Sequence, residues 1–153
     1  MVDNLYKAFV DATHNVFHLM LDLSDISDHP ADEFQCDDAV DIAIPIVGDL
    51  EGDVIYRFPV TTSLNMVSIM SGMQVEEVDA FVTSAISEIA NIISGNVLTV
   101  LSTNEMTCDL LPPVQRQPDE NKEYELKTSC CIQTTIGLVC LDIRLNRVKA
   151  NHV

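Results

Sequence analysis

The sequence predicts an α+β fold, a single domain in which helices pack on a largely antiparallel sheet. Its 153 residues, 47% of them apolar, are enough for one core that buries roughly two-thirds of the surface of the unfolded chain. Apolar side chains recur at helical spacing near the N-terminus and in the middle of the chain, and strand-like runs flank the middle region. No internal repeat, low-complexity tract or linker interrupts this order, so we expect residues 1–153 to form one domain.

The first predicted element is an amphipathic helix over residues 5–23. The apolar positions with helical spacing are Leu5, Phe9, Ala12, Val16, Leu19, Met20 and Leu23. The opposite face carries Asp11, His14, His18 and Asp22. Two histidines four residues apart beside carboxylates are compatible with a metal site, but an exposed polar stripe gives the same pattern. The turn-rich residues 24–32 end this helix.

A β-hairpin is predicted next, with strands over residues 39–47 and 53–60. The five residues 48–52 between the strands begin and end with glycine, which is typical of a hairpin loop. Pro45 and Pro59 indicate edge positions or bulges, because proline donates no hydrogen bond to a neighbouring strand.

Two helices follow the hairpin. Thr61 and Thr62 can cap a short helix that runs through Met70, and Gly72 is expected to end it. A long helix is predicted over residues 75–102. Glu76 and Glu77 suit its start, where the helix dipole favours acidic side chains.

The last predicted elements are three strands, over residues 108–114, 123–135 and 138–148. A polar loop at residues 116–122 separates the first two, and a tight turn at Ile136 and Gly137 separates the last two. Cys130 and Cys131 are adjacent in the second of these strands, so their side chains point to opposite faces. Neither has a basic neighbour in the sequence that would mark it as a nucleophile.

The composition excludes several classes of function. A net charge of −16 repels nucleic acid, whose binding depends on lysine and arginine side chains. No apolar stretch approaches the twenty or so residues of a membrane span, and the N-terminus lacks the pattern of a secretory signal, so we expect a cytoplasmic protein. The five cysteines, at positions 36, 108, 130, 131 and 140, are odd in number and lack CxxC spacing, so we expect reduced and mostly buried thiols.

The stretch SEIANIISGN, residues 87–96, carries the clearest candidate site. On a helical wheel the apolar side chains of Val82, Ile86, Ile89 and Ile93 cluster on one side, which we expect to be buried. Ser84, Glu88, Asn91 and Gly95 form a stripe well away from that side, with Ile92 beside it. Two members of the stripe are small, which suits close docking, and Gly95 needs a reason because glycine inside a helix costs about 1 kcal/mol relative to alanine. Tight packing within the protein is one such reason, and a closely approaching partner is another.

Glu88, Asn91, Gly95 and Asn96 match the E-x-x-N-x-x-x-G-N signature of the CheC, CheX and FliY phosphatases, which dephosphorylate the chemotaxis response regulator CheY. The N-terminal helix, the hairpin ending in VIYRFP, the two helices and the three closing strands also resemble that family in order and length, over essentially the whole chain. The chain has no second glutamate three residues before an asparagine. It therefore resembles the single-motif CheX type.

The resemblance implies a phosphatase that acts on the phospho-aspartate of a CheY-type response regulator. Asn91 would position the attacking water, and Glu88 would pair with the active-site lysine of the regulator. Ser84, Ile92 and Gly95 would contact the partner, whose own site would hold Mg²⁺ while this chain needs no cofactor or metal. The resemblance also implies a homodimer.

Two other functions remain open on the sequence. A CheX-like docking module would bind a receiver domain or another signalling partner without catalysis, because Glu88 serves docking as well as chemistry. An oligomeric scaffold would bury the face of Phe81, Ile92 and Gly95 against another subunit.

Overall fold

The computed structural model of the chain describes residues 2–30, 38–119 and 121–148. Its elements in chain order are α1 (Val2–Leu21), β1 (Ser27–Pro30), β2 (Ala39–Gly48), β3 (Leu50–Pro59), α2 (Val60–Ser71), α3 (Ala80–Thr103), β4 (Cys108–Leu110), β5 (Val114–Gln115), β6 (Leu126–Thr134) and β7 (Gly137–Arg147).

Among the described residues the strands form one seven-stranded sheet in the order β1-β6-β7-β3-β2-β4, and β5 pairs with β2. Every pairing between these strands is antiparallel. The central pair, β3 and β7, runs in register from Leu50 opposite Arg147 to Arg57 opposite Cys140. The predicted α+β class with an antiparallel sheet is confirmed.

The core lies between the helices and one face of the sheet. Alternate strand residues enter it, as expected when successive side chains point to opposite faces. They include Val40, Ile42, Ile44, Ile46, Val54, Tyr56, Phe58, Ile132, Leu141 and Ile143. The rings of Tyr56 and Phe58 stack with centroids 6.4 Å apart. Each such buried side chain contributes on the order of 1.5–3 kcal/mol, so this face anchors the helices firmly.

The other face of the sheet carries paired charges. Arg57 donates two hydrogen bonds to the carboxylate of Asp41, at 2.7 and 2.8 Å. Arg144 donates to Asp142 at 2.9 Å, and both side chains are almost fully buried. Because each of these buried charges has an opposite charge beside it, the strands bury polar side chains without leaving an isolated ion in the interior.

Strand β1 is absent from the sequence-based prediction, which assigned residues 24–32 to turns. All four of its residues are exposed, so they show no apolar alternation. Backbone pairing with β6, from Ser27 opposite Gln133 to Pro30 opposite Cys130, makes this segment an edge strand. Residues 31 and 32 of the predicted turn lie outside the described part of the chain.

The hairpin of β2 and β3 is confirmed, but its loop differs from the prediction. The two strands stop pairing with each other at Ile46 and Gly52, which leaves residues 47–51 between them. These residues remain extended because Gly48 pairs with Cys108 of β4 and Leu50 pairs with Arg147 of β7. Pairing with other strands therefore shortens the loop to Asp49 alone.

Helix α2 begins without the predicted threonine cap. Pro59 occupies the N-cap position and makes no side-chain capping hydrogen bond. Thr61 and Thr62 lie inside the helix, where the hydroxyl of Thr62 donates to the carbonyl of Leu138 at 3.0 Å. Gly72 ends the helix as predicted, with the left-handed φ of 70° that glycine adopts most easily.

Helix α3 begins at Ala80, five residues later than predicted. Glu76 and Glu77 precede it, so their assignment to its first turn is wrong. Asp79 is the N-cap, and its carboxylate accepts a hydrogen bond from the backbone N–H of Val82 at 3.0 Å. The acidic cap satisfies an N–H that has no partner within the helix, which fixes where the helix starts.

Helix α1 buries a different arc from the one predicted, and it ends at Leu21 instead of residue 23. Leu19 is 81% exposed, whereas Phe17 and Leu21 are buried. Relative to Phe9, the buried arc extends about 80–120° towards Phe17 and Leu21, and Leu19 lies about 80° the other way. The three-and-four spacing located the helix correctly but misplaced the centre of its buried face.

The predicted strand over residues 108–114 is two short strands, because Pro112 and Pro113 interrupt it. The backbone N–H of Leu111 donates instead to the carbonyl of Pro45 at 2.9 Å. Pro45 therefore lies beside the gap between β4 and β5. The predicted edge position is wrong, because β2 has β3 on one side and the short strands β4 and β5 on the other. Pro59 lies at the end of β3.

The last hairpin is confirmed. Strand β6 has 9 residues, fewer than predicted, and β7 has the predicted 11 residues but begins one residue earlier. Thr134 pairs with Gly137, so the turn consists of Thr135 and Ile136 instead of Ile136 and Gly137. Gly137 has a φ of 134°, and a Cβ there would collide with the side chain of Thr62. Glycine is therefore required at the start of β7.

Within the described ranges one helix, α3, is long and apolar enough to cross a bilayer by length and composition. Its most apolar window has a mean hydropathy of 1.3, and 39% of that window is buried in the protein. The core helix of a globular protein passes the same test, so this is weak evidence for a span. The helix packs here against α1, α2 and the strands β2, β3 and β4.

Candidate functional site

The candidate site lies on helix α3, whose opposite side is anchored in the core. Val82, Ile86, Ile89 and Ile93 are fully buried, which confirms the predicted core face. Ser94, also buried, forms a hydrogen bond of 2.7 Å between its hydroxyl and that of Tyr56 on β3. Burial raises the pKa of Tyr56, so its hydroxyl stays protonated at neutral pH. Packing and this hydrogen bond together fix the helix on the sheet.

The predicted stripe lies on the outer side of α3. Ser84 and Glu88 are exposed, and Asn91, Ile92 and Gly95 are half-buried. These five positions, the four stripe residues and Ile92, are together called the stripe from here on. They fall within an arc of about 100°, because each of them lies three or four residues from another member. The structure therefore brings all five sequence-predicted site residues onto one surface of one rigid element.

Glu88 and Asn91 are free to meet a partner. Within the described part of the chain, neither side chain has a hydrogen bond or an ion pair. Asn91 is half-buried as a residue, but its amide oxygen and nitrogen stay accessible to water, because Nε2 of His14 is the one buried side-chain polar atom without a partner in the described part of the chain. The two groups lie about one helical turn apart, so both can contact the same small site on a partner.

Gly95 does not serve packing within the described structure. A Cβ built at this position would meet a single atom within 4 Å, Cδ1 of Leu110 at 3.9 Å, which is an ordinary contact. Alanine would therefore fit, and it would favour the helix by about 1 kcal/mol. The sequence left two reasons for Gly95 open, tight packing inside the protein and a closely approaching partner. The structure disfavours the first.

A depression of about 810 Å³ borders Glu88 on the side of β5. Ser84, Ser87 and Glu88 line it from α3, and Pro113 and Gln115 line it from the other wall. The sequence analysis missed Pro113 and Gln115, because only the pairing of β5 with β2 brings them near the helix. The Pro112–Pro113 pair, which breaks a strand-like run, was the available sign of an irregular segment there.

The described residues hold no group of three or more His, Cys, Asp or Glu side chains arranged for a metal ion. His14 and His18 of α1 make separate contacts: Nε2 of His14 lies 3.9 Å from the carboxylate of Asp28, and Nδ1 of His18 lies 3.2 Å from the carbonyl of Leu23. Asp11, His18 and Asp22 are exposed, as the predicted polar stripe requires, whereas His14 is half-buried and its Nε2 is a buried atom without a hydrogen-bond partner among the described residues.

The cysteines are placed as expected for inert thiols. Cys130 is buried in the core, and Cys131 faces Cys140 across β6 and β7 on the other side of the sheet. Burial raises the pKa of Cys130 to about 12 and also raises that of Cys140, so both stay protonated and weakly nucleophilic at neutral pH. Cys108 is half-buried. Cys36 lies outside the described residues.

Solved structures share this fold at low sequence identity. A chain of the CheX–CheY–BeF₃–Mg²⁺ complex from Borrelia burgdorferi has a TM-score of 0.79 and 21% identity, over 93% of this chain and 97% of that one. The chemotaxis protein CheX from Vibrio vulnificus has a TM-score of 0.80 and 18% identity, over 94% of this chain and 99% of that one.

Two sequence comparisons point to the same group. The CheY-P phosphatase CheX of Thermotoga maritima is 37% identical over 71 residues, which is 46% of this chain and 46% of the relative, so the match spans less than half of that protein. The family model described as chemotaxis phosphatase CheX matches residues 40–136, a segment that contains α3 and all five stripe residues. The chain therefore belongs to the chemotaxis phosphatase CheX family.

Proposed function

We propose that this chain hydrolyses the phospho-aspartate of a CheY-type response regulator. The observation that carries the proposal is a pair of polar side chains, Glu88 and Asn91, which have no partner among the described residues and lie on the outer face of a helix that is anchored in the core. Family membership supports the reaction class. The relative from Borrelia burgdorferi, solved in a complex with CheY, supports a receiver domain as the partner.

Asn91 positions the water in this mechanism. The water attacks phosphorus in line with the aspartyl oxygen, the P–O bond to the carboxylate breaks, and inorganic phosphate leaves with both protons of the water on its oxygens. An amide is not a base at neutral pH, so Asn91 holds the water by hydrogen bonds and does not remove its proton. A rigid helix suits this task, because misplacing a reacting group by 1 Å can cost about 10²-fold in rate.

Glu88 docks on the active-site lysine of the regulator. Its carboxylate is exposed and has no partner in the described structure, so it can pair with a cation without first breaking an internal ion pair. Such a pair fixes the register of the complex and accelerates encounter. Glu88 therefore determines where Asn91 enters the site of the receiver.

Ser84, Ile92 and Gly95 form the contact surface around the two polar groups. Ser84 and Gly95 have little or no side chain, so a loop of the receiver can approach the helix backbone closely. Ile92 is half-buried and adds apolar contact. The absence of internal crowding at Gly95 supports this role.

The metal of the reaction belongs to the partner. In this proposal the receiver holds Mg²⁺ beside its phospho-aspartate, and this chain brings no cofactor of its own. The Mg²⁺ and BeF₃ in the complex from Borrelia burgdorferi agree with that arrangement. We further propose that residues 1–153 act as one domain in the cytoplasm, as a homodimer, without nucleic acid or membrane partners.

The test is the decay of a phosphorylated CheY-type receiver from the same organism, with Mg²⁺ and catalytic amounts of this chain. The wild type should accelerate decay over many turnovers. Asn91→Ala should lower kcat by about 10²-fold, and its Kd for the receiver should stay within about twofold. The matched control, Asn15→Ala on the exposed face of α1, should behave like the wild type.

Glu88→Lys separates docking from chemistry. Because the substitution places two cations together, binding of the receiver should weaken by at least about tenfold, whereas Asp11→Lys on α1 should have little effect. Equal loss of binding in Asn91→Ala and Glu88→Lys would contradict the two separate roles. If receivers bind the wild type yet decay at their intrinsic rates, the chain is a docking module.

A further inference from the structure

An exposed apolar pair lies at the start of α3. Phe81 is 51% exposed and Met73 is 59% exposed. Both line an open depression of about 650 Å³ between the segment that precedes α3 and the first turn of the helix. Aromatic side chains dominate binding hot spots, and methionine adapts its shape to a partner. This Phe81–Met73 cluster therefore has the composition of a binding anchor.

The cluster continues the stripe without a gap. Phe81 lies seven residues before Glu88, about 10 Å along the helix axis and about 20° around it. Ala85 lies between them and is half-buried. The five stripe residues alone are too few for a stable complex, which typically buries about 800 Å² on each partner. A receiver that binds Glu88 and Asn91 therefore has to contact more surface than the stripe provides. The Phe81–Met73 cluster is the adjacent apolar surface.

Acidic side chains surround the cluster. Glu76, Glu77 and Asp79 line the same depression and are exposed. An apolar centre inside a charged rim is the usual layout of a protein interface. The sign of this rim selects a partner segment in which lysine or arginine flanks an apolar side chain.

We propose that Phe81 and Met73 anchor the same phosphorylated receiver domain, by binding an apolar side chain that basic residues flank on its surface. The inference rests on the proposed function. Phe81 lies ten residues, about 15 Å along the axis, from Asn91, so it contributes to affinity and not to the chemical step.

The experiment measures binding of a CheY-type receiver from the same organism, loaded with BeF₃⁻ and Mg²⁺, to Phe81→Ala and Met73→Ala. Phe81→Ala should raise Kd by about tenfold and KM in parallel, with kcat at saturating receiver within about twofold of the wild type. Met73→Ala should have a smaller effect in the same direction. Val100→Ala is the matched control, because Val100 is 46% exposed on the same helix, about 28 Å away.

Different outcomes would separate this inference from the proposed function. If Phe81→Ala binds the receiver with wild-type affinity while Asn91→Ala is inactive in the same assay, the inference is overturned and the proposed function stands. Sedimentation that shows loss of a homodimer in Phe81→Ala, with unchanged receiver binding, would assign the cluster to a second copy of this chain and also overturn it. A wild type that neither binds nor dephosphorylates receivers would overturn both.

Discussion

Gly95 is the residue at which stability and the proposed activity oppose each other. Gly95→Ala should raise the free energy of unfolding by about 0.5–1 kcal/mol, because alanine favours the helix and its Cβ finds space. The same methyl group should weaken receiver binding, because it occupies the surface where the partner approaches. Denaturant unfolding and a binding titration on the same preparation measure the two effects.

Ser102→Ala provides the control for Gly95→Ala. Ser102 is exposed on the same helix, eleven residues beyond Asn91, and alanine is again the better helix former. It should not reduce receiver binding. A loss of stability in Gly95→Ala would show that the protein itself needs glycine there, and the partner-contact role would lose its main support.

Periodicity alone placed Ser84, Glu88, Asn91 and Gly95 on the outer side of the long helix, and the structure agrees. It could not decide why Gly95 is glycine, because that depends on what lies opposite it in space. Pro113 and Gln115 could not be predicted for a similar reason. They lie about 25 residues after Glu88 in the sequence, and the pairing of β5 with β2 brings them beside it.

At the scale of elements, the start of α3 depends on Asp79. Asp79→Ala removes the hydrogen bond from the N–H of Val82 to the carboxylate and should lower the free energy of unfolding by about 1 kcal/mol. Glu77→Ala, two residues earlier and outside the helix, should cost much less. Urea unfolding of both variants tests this. Equal losses of unfolding free energy would mean that the acidic residues stabilise α3 through the helix dipole and not through the cap of Asp79.

The helices and the long strands could be predicted because their patterns are local. Alternation located β2, β3, β6 and β7, and helical spacing located α1, α2 and α3. The errors occurred where non-local contacts decide. β1 is a strand only through its pairing with β6, and the hairpin loop is short only because Gly48 and Leu50 pair with β4 and β7.

For the whole molecule, the net charge of −16 has two consequences that the fold does not determine. It opposes binding to nucleic acid, as the composition indicated. It also surrounds the candidate surface with acids, since Glu76, Glu77, Asp79 and Glu88 all lie exposed along the first part of α3 and the segment before it. Encounter with a basic site on a receiver should therefore be electrostatically steered.

Steering predicts a dependence on salt that differs between binding and chemistry. Between about 50 and 500 mM NaCl, the association rate constant with a BeF₃⁻-loaded receiver should fall at least about threefold, because salt screens exposed charges beyond the Debye length. At saturating receiver, kcat should change little, since Asn91 acts through hydrogen bonds within the assembled complex. Glu88→Gln should flatten the salt dependence measured by stopped flow, whereas Asp11→Asn on α1 should leave it unchanged. A salt dependence that is identical in both variants would place the steering charges elsewhere on the molecule and remove Glu88 from the encounter.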